Sequence, residues 1–560
     1  MCGIFCYQGS TDDVHSNVQS LDKCSDKLKH RGPDDSSRTI KDYPDDRSAY
    51  FKFHRLAIND LSSHGMQPFT FDSESGEYTL LMNGEIWNWS ELRETHCPDY
   101  SYVSTSDCEV VLPLFIKYGS SCFEMLDGEF ACVIIDPAGQ AFAARDGTCG
   151  IRPLFYCKRK NGAIIYASEA KGIVGLVEHD EIIQQFPPGH YISDPLLHEV
   201  SPFMTFQKSD QDMGDCVVSF YDEEDSSEMT SSEIFTEINT LLTDAVKKRI
   251  EVTDVPVALL VSGGLDSSLV AAIARKEFPD LELHSFSVGL PDSKDLIAAR
   301  EVADRLKLIH HELVCTAEDG INAIPDVIYS LETWDQTTIY AGTYQWLLCK
   351  YIHEQFGFKV LLGGELADEV NGSYRYIGLA PTISDAIEEN RKLLSEVHFY
   401  DVLRADRTLS AHSIESRVPF SDRAFMKFMV SIDIAHRMPT ETIEKEYLRK
   451  AFDPEWNGID YEYLPKELLW RRKEAFSDGV GHSWVGKHKE HVNSIVTDEE
   501  LELAKLESHI YTKDDLYFRR IFNEMYEDRV ELIPHKCIPN QDCEHTQVLT
   551  ETSSRFLYNY

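Results

Sequence analysis

The sequence predicts an α/β chain of two domains. The N-terminal half reads as strand-rich, and the C-terminal half as a parallel sheet with helices on its faces and an all-helical end. Three observations carry this. Up to about His190, short apolar runs separated by turn residues recur roughly every ten residues. From Ile234 on, helical patterns alternate with compact apolar strands, the rhythm of an α/β sheet. Between them, from about Gln207 to Glu233, lies a polar, acidic stretch that reads as a linker or exposed excursion.

Taken in order, Tyr78–Met82, Ala131–Ile135, Ala141–Ala144 and Ala163–Ala167 have strand length and composition in the first half. Val257–Val261, Leu283–Val288 and Val360–Leu362 do so in the second. The expected units are residues 2–205, an acidic linker 206–233, a second domain 234–535 and a tail 536–560 without a clear pattern. No repeat at solenoid spacing is present.

With 560 residues, 42% hydrophobic and 27% charged, the chain can bury sizeable cores. Its net charge of −41 argues against nucleic acid or an anionic membrane as main partner. A polyphosphate would need a locally basic site or backbone N–H groups. No apolar run approaches the ~18 residues of a membrane span, and the N-terminus turns acidic without a basic lead. A cytoplasmic location is the expectation. The 14 cysteines show no metal or disulfide spacing, so most should be free, buried thiols.

Cys2 is the exception. Loss of Met1 would give Cys2 a free α-amine with a reference pKa near ~8, able to serve as base for its own thiol. Downstream come His30-Arg-Gly-Pro-Asp34, Phe53-His-Arg-Leu-Ala-Ile58, Met82-Asn-Gly-Glu-Ile-Trp-Asn88 and Thr105-Ser-Asp-Cys-Glu109. Glutamine needs a cation for its α-carboxylate, which Arg55 offers, and an anion for its α-amine, which Asp107 offers. Charge developing on the attacked amide needs donors, which the Asn83 amide and the Gly84 N–H provide. Taken singly, Asn-Gly is more often a plain hairpin turn and Arg55 an ordinary surface charge.

Together these strings resemble the class II, N-terminal-nucleophile glutamine amidotransferase domain over about residues 2–200, continuing through Ala144–Tyr156, Ala167–Ile173 and Phe186–Tyr191. The resemblance implies an αββα sandwich, with Cys2 as nucleophile and Asn83 and Gly84 as oxyanion hole. It implies a glutamine pocket of Arg55, Leu56, Ala57, Ile58, Asn59, Asn83, Gly84, Glu85 and Asp107.

In the second half, Pro256–Val261 leads into Ser262-Gly-Gly-Leu-Asp-Ser-Ser268 and then an apolar helix. A Gly-rich turn at a helix start presents N–H groups to phosphate, and Asp266 can hold Mg²⁺ against it. No Gly-Lys-Ser/Thr follows, so this is not a Walker loop. SGGLDSS resembles the pyrophosphatase-type loop that cleaves ATP between α and β phosphates and makes an acyl-adenylate. Val288 ends a strand similar to that family's adenine contact. A second loop, Gly363-Gly364-Glu365-Leu366-Ala-Asp368-Glu369, Leu464–Glu467 and Trp470–Gly481 with Lys473, and Ser410–Asp422 extend the likeness to the glutamine-dependent asparagine synthetases. By resemblance, ATP is bound by Val261, Ser262, Gly263, Gly264, Asp266, Ser267, Ser268, Val288, Gly363, Gly364 and Lys473. Asp266 and Asp368 are the metal ligands, and Glu365 deprotonates ammonia. The fold implied is a doubly wound ATP-pyrophosphatase sheet with extra helices. ATP is a substrate, Mg²⁺ the cofactor, and glutamine and aspartate the other partners, with a homodimer compatible.

Three positions depart from that family's usual pattern: Gly363 where Ser is usual, Leu366 where Gly is usual, and Tyr340 where Arg is usual. Leu at a position suited to Gly raises the prospect of a left-handed backbone. Purine and amino-sugar amidotransferases share the N-terminal pattern but lack SGGLDSS, and β-lactam-type synthetases normally lack the working cysteine. A sensor that binds ATP without releasing pyrophosphate is the alternative from another class, and the three departures are its support.

Overall fold

The computed structural model describes residues 1–194, 199–205, 218–219, 229–291, 293–440, 442–471, 483–506 and 510–533. Most of the acidic linker, Lys473 with its surrounding string, and the tail lie outside these residues.

The first domain holds β1 (Gly3–Ser10), β2 (Asp35–Tyr43), β3 (Arg47–Arg55), β4 (Phe69–Ser73), β5 (Gly76–Ile86), β6 (Gly128–Ile135), β7 (Ala141–Arg145), β8 (Phe155–Lys158), β9 (Ile164–Ala167), β10 (Gln184–Gln185), β11 (His190–Asp194) and β12 (Glu199–Pro202). They form two six-stranded sheets, ordered β10-β8-β9-β1-β3-β2 and β12-β11-β7-β6-β5-β4, antiparallel at every pairing. Strand alternation builds the layers. Ile4 and Cys6 of β1 meet Ala131, Val133 and Ile135 of β6 in one cluster between the sheets. Phe5 and Tyr7 point the other way, joining Leu21 of the helix Val18–Ser25. Phe130, Cys132 and Ile134 join the helix Val111–Tyr118. This is the expected αββα sandwich.

The second domain carries β15 (Val257–Leu260), β16 (His284–Gly289), β17 (Ile309–Val314), β18 (Val360–Leu362) and β19 (Glu415–Arg417), numbered after the short parallel pair β13 (Met204–Thr205) and β14 (Val218–Ser219). The sheet is parallel, ordered β17-β16-β15-β18-β19. Chain order reverses between β15 and β18, and in doubly wound sheets ligands bind outside the strand ends at such a switch point. The first helix runs Ser231–Glu251, starting three residues before the expected boundary at Ile234. Thr230 and Glu233 form a reciprocal capping box that fixes this start, a signal hidden in the acidic run.

The two domains are joined by a buried ionic seam. Arg31 pairs with Asp406 at 2.8 Å and with Glu169 at 2.6 Å. Arg407 pairs with Glu332 at 3.2 Å, and Glu332 accepts the Lys171 N–H at 2.7 Å. Arg249 and Arg152 converge on Glu129 at 3.0 and 3.1 Å. Among the described residues no helix is long and apolar enough to cross a membrane.

Candidate active sites

Antiparallel pairing places the first site. Gly3 of β1 sits opposite His54 of β3, so the loop after β3 runs beside Cys2, and Cys2 Sγ lies 3.8 Å from the Leu56 carbonyl. Asn83 and Gly84 come from β5 of the other sheet, paired with Ala131 and Phe130. A Cβ at Gly84 would overlap the Glu129 carbonyl, so only glycine lets the two strands close here. The Cys2 backbone N donates to Asn83 Oδ1 at 2.7 Å. That contact fixes the amide's orientation and leaves Asn83 Nδ2 buried and without a partner among the described residues. Met1 is in place, with its α-ammonium 2.7 Å from Glu415 Oε2. Burial pushes the Cys2 thiol up, outweighing the neighbouring ammonium and the Leu56 contact that lower it.

The expected glutamine-binding residues gather around this point. Asn59 Nδ2 donates to both Glu85 Oε2 and, at 3.1 Å, Asp107 Oδ1, while Ile86 N donates to Asp107 Oδ2 at 2.7 Å. Burial raises both carboxyls, the electrostatic setting in which a bound ammonium group is favoured. Arg55 is buried, and its guanidinium donates to the carbonyls of Ser62 (2.6 Å) and Asp60, so it also holds the loop Asn59–Ser62 in shape. Ala57 and Ile58 meet the second domain: Lys359 donates to the Ala57 carbonyl at 3.3 Å and Asp254 N to Ile58 O at 3.1 Å.

In the second domain β15 passes through Val261 into the loop Ser262–Gly264 and the helix Leu265–Glu277. Gly263 has φ +74°, and a Cβ there would lie 2.6 Å from Ala298 Cβ, so the turn requires glycine. The serines staple the loop: Ser262 N donates to Ser267 Oγ at 3.1 Å, and Ser268 Oγ to Gly264 O at 2.6 Å. The ends of β15, β16 and β18 open on one cleft. Val261, Ser262, Gly264, Asp266, Ser267 and Val288 line it, as do Gly364, Glu365 and Asp368. Gly263, Ser268 and Gly363 are not on its wall.

Asp266 and Asp368, in the first turns of two different helices, meet at Lys445, whose Nζ is 2.6 Å from one and 2.8 Å from the other. The two carboxylates outweigh burial and raise the lysine above its ordinary value, so it is charged. Glu365 Oε1 accepts from Gln345 Nε2 at 3.0 Å, and Gln345 Oε1 accepts from Arg404 Nη1 at 2.7 Å.

With two such sites on one chain, comparison with known proteins is informative. The glutamine amidotransferase domain family matches residues 1–208, and the asparagine synthase family matches 237–396 and 389–536. A glutamine-hydrolysing asparagine synthetase of Asparagus officinalis is 38% identical over 94% of this chain and 86% of its own length. That of Saccharomyces cerevisiae is 37% identical over 94% of each chain. That of Gallus gallus is 36% identical over 100% of this chain and 99% of its own. The chain belongs to the glutamine-hydrolysing asparagine synthetase family.

Set against the usual pattern of the asparagine synthetases, each departure has a structural account. Leu366 does adopt the left-handed conformation, φ +70°, just before the helix Ala367–Asn371. Its buried side chain, in the main apolar cluster, offsets the ~1–2 kcal/mol such a residue costs. Tyr340 turns away from the cleft. Its hydroxyl donates to Asp514 at 2.6 Å and lies 2.9 Å from His488 Nδ1, between the C-terminal helices Ser483–Ile495 and Lys513–Tyr526. A Cβ at Gly363 would overlap Glu365 Oε2. Among the described residues the cations lining the cleft are Arg404, Lys445, Arg449 and Arg471. Of these only Arg471 lies in a string that the sequence singles out, and there the residue named is Lys473; Arg404, Lys445 and Arg449 stand in ordinary helical or flanking charge patterns. Of the cysteines described as free, Cys2 alone is not fully buried.

Proposed function

We propose that the two sites act in series to make asparagine from aspartate, ATP and glutamine. In the first, with Met1 removed, the Cys2 α-amine takes the thiol proton and the thiolate attacks the glutamine side-chain amide. The negative charge that forms on the amide oxygen faces Asn83 Nδ2, the buried unpartnered donor that carries this assignment. The C–N bond breaks, ammonia leaves with the proton, and water hydrolyses the thioester to glutamate. Asn59 with Glu85 and Asp107 holds the glutamine α-amine, and Arg55 the α-carboxylate.

In the second site the aspartate β-carboxylate attacks the ATP α-phosphate, forming β-aspartyl-AMP and releasing pyrophosphate into the Ser262–Ser268 loop. Ammonia attacks the acyl carbon, Glu365 accepts its proton, and AMP leaves. Lys473 would meet pyrophosphate from outside the described residues. Magnesium fits here, because Asp266 and Asp368 already converge on one cation. Among the described residues no cage of three or more protein ligands exists, so phosphate oxygens and water would complete its shell. When bound, it supplies charge neutralisation at the pyrophosphate. Ammonia must arrive unprotonated, which favours a closed path across the seam between the domains. The reading places the enzyme in the cytoplasm, without nucleic-acid or membrane partners.

The test is Cys2→Ala. Asparagine formation from glutamine should vanish while formation from ammonium salts persists. Loss of both together would contradict the division of labour.

A further inference from the structure

Gln345 lies on the helix Gln336–Gln355, which also carries Tyr340 five residues earlier and about 140° around the axis. One side chain faces the C-terminal helices and the other lines the cleft. A guanidinium can only donate. The 2.7 Å contact from Arg404 Nη1 therefore identifies the Gln345 atom it meets as the carbonyl oxygen, and turns the NH₂ group toward Glu365. The NH₂ group in turn can only donate, so Glu365 Oε1 is the acceptor. Glu365 Oε2 is left buried and without a partner among the described residues. A buried carboxylate oxygen in that state needs a donor, and ammonia losing its proton is one.

Gly363 belongs to the same arrangement. Any side chain there would overlap Glu365 Oε2, so the carboxylate would have to leave this position. Serine at 363 and this placement of Glu365 exclude one another.

We propose that Gln345, oriented by Arg404, is a positioning residue for the amidation step: it holds Glu365 by Oε1 so that Oε2 is presented to incoming ammonia, and Gly363 supplies the space this needs. The proposal rests on the reading of Glu365 as the base that deprotonates ammonia.

Gln345→Met keeps the volume and removes both hydrogen bonds. With ammonium salts as nitrogen donor, kcat for asparagine should fall about tenfold. KM for ATP and aspartate should stay within about twofold, and rapid-quench pyrophosphate release without ammonia should keep its rate. Gly363→Ser should reproduce the amidation defect in the Gln345 enzyme and add little to it in the Gln345→Met background. Amidation at the parent rate in Gln345→Met, or an equal loss of pyrophosphate release, would overturn the proposal, the latter marking Gln345 as merely structural. Glu365→Gln separates the two levels. If it amidates as fast as the parent, the reading of Glu365 falls and the proposal with it. If it is inactive in amidation while Gln345→Met is normal, only the proposal falls.

Discussion

At Asn83 one amide meets two demands. Its oxygen holds the Cys2 nitrogen at 2.7 Å, and its buried NH₂, without a partner among the described residues, is the donor proposed for the oxyanion. Replacing Asn83 with Ala should lower glutamine hydrolysis by about 10²–10³-fold, as loss of one oxyanion donor does elsewhere, with ammonia-dependent synthesis unchanged. Glutamate release measured beside asparagine formation checks this. Cys2, Asn83, Gly84 and Asp107 could be named as candidates because each sits in a short string whose chemistry is local. Lys445 and Gln345 could not. Each reaches its carboxylate across the cleft, from 179 residues away for Lys445 and Asp266 and 20 for Gln345 and Glu365, and neither has a neighbour in sequence that announces it. Gly363 and Leu366 were legible as departures. What they do, one clearing space for a carboxylate and one accepting a left-handed backbone, depends on tertiary contacts.

At the scale of elements, the strand runs survive well: Ala131–Ile135 lies within β6, and Val360–Leu362 is β18. Alternation and apolar runs are strong signals where one or both faces are buried. The start of the helix Ser231–Glu251 was missed because Thr230 and Glu233 read as part of an acidic excursion. The capping box should be worth about 1 kcal/mol. Thr230→Ala should therefore lower the denaturant midpoint by a corresponding amount while leaving catalytic constants unchanged. An unchanged midpoint would mean the helix start is held by the packing of Ile234 and Phe235 alone.

At the scale of the molecule, the buried seam joins partners far apart in sequence, 375 residues for Arg31 with Asp406 and 120 for Arg249 with Glu129. No sequence pattern could have paired them. Burial raises Glu169, but Lys171, His30, Arg407 and Arg31 outweigh it and hold the carboxyl well below its ordinary value of 4.5. Asp406 is likewise lowered from 3.8, burial being overcome by Arg31, Arg407 and Arg152. A carboxyl depressed in the folded state stabilises fully above its unfolded pKa and loses that contribution as pH falls through the folded one. The seam should therefore weaken below about pH 4.5, seen as a falling urea midpoint. A midpoint independent of pH across that acid range would contradict it.

The central claim is that one chain couples glutamine hydrolysis to adenylation of aspartate. The most direct measurement supplies purified protein with aspartate, Mg-ATP and glutamine, and quantifies asparagine, AMP, ADP, pyrophosphate and glutamate. The account predicts asparagine, AMP and pyrophosphate in equal amounts, with no ADP. Glutamate formed without AMP or asparagine, or ADP in place of AMP, would contradict it.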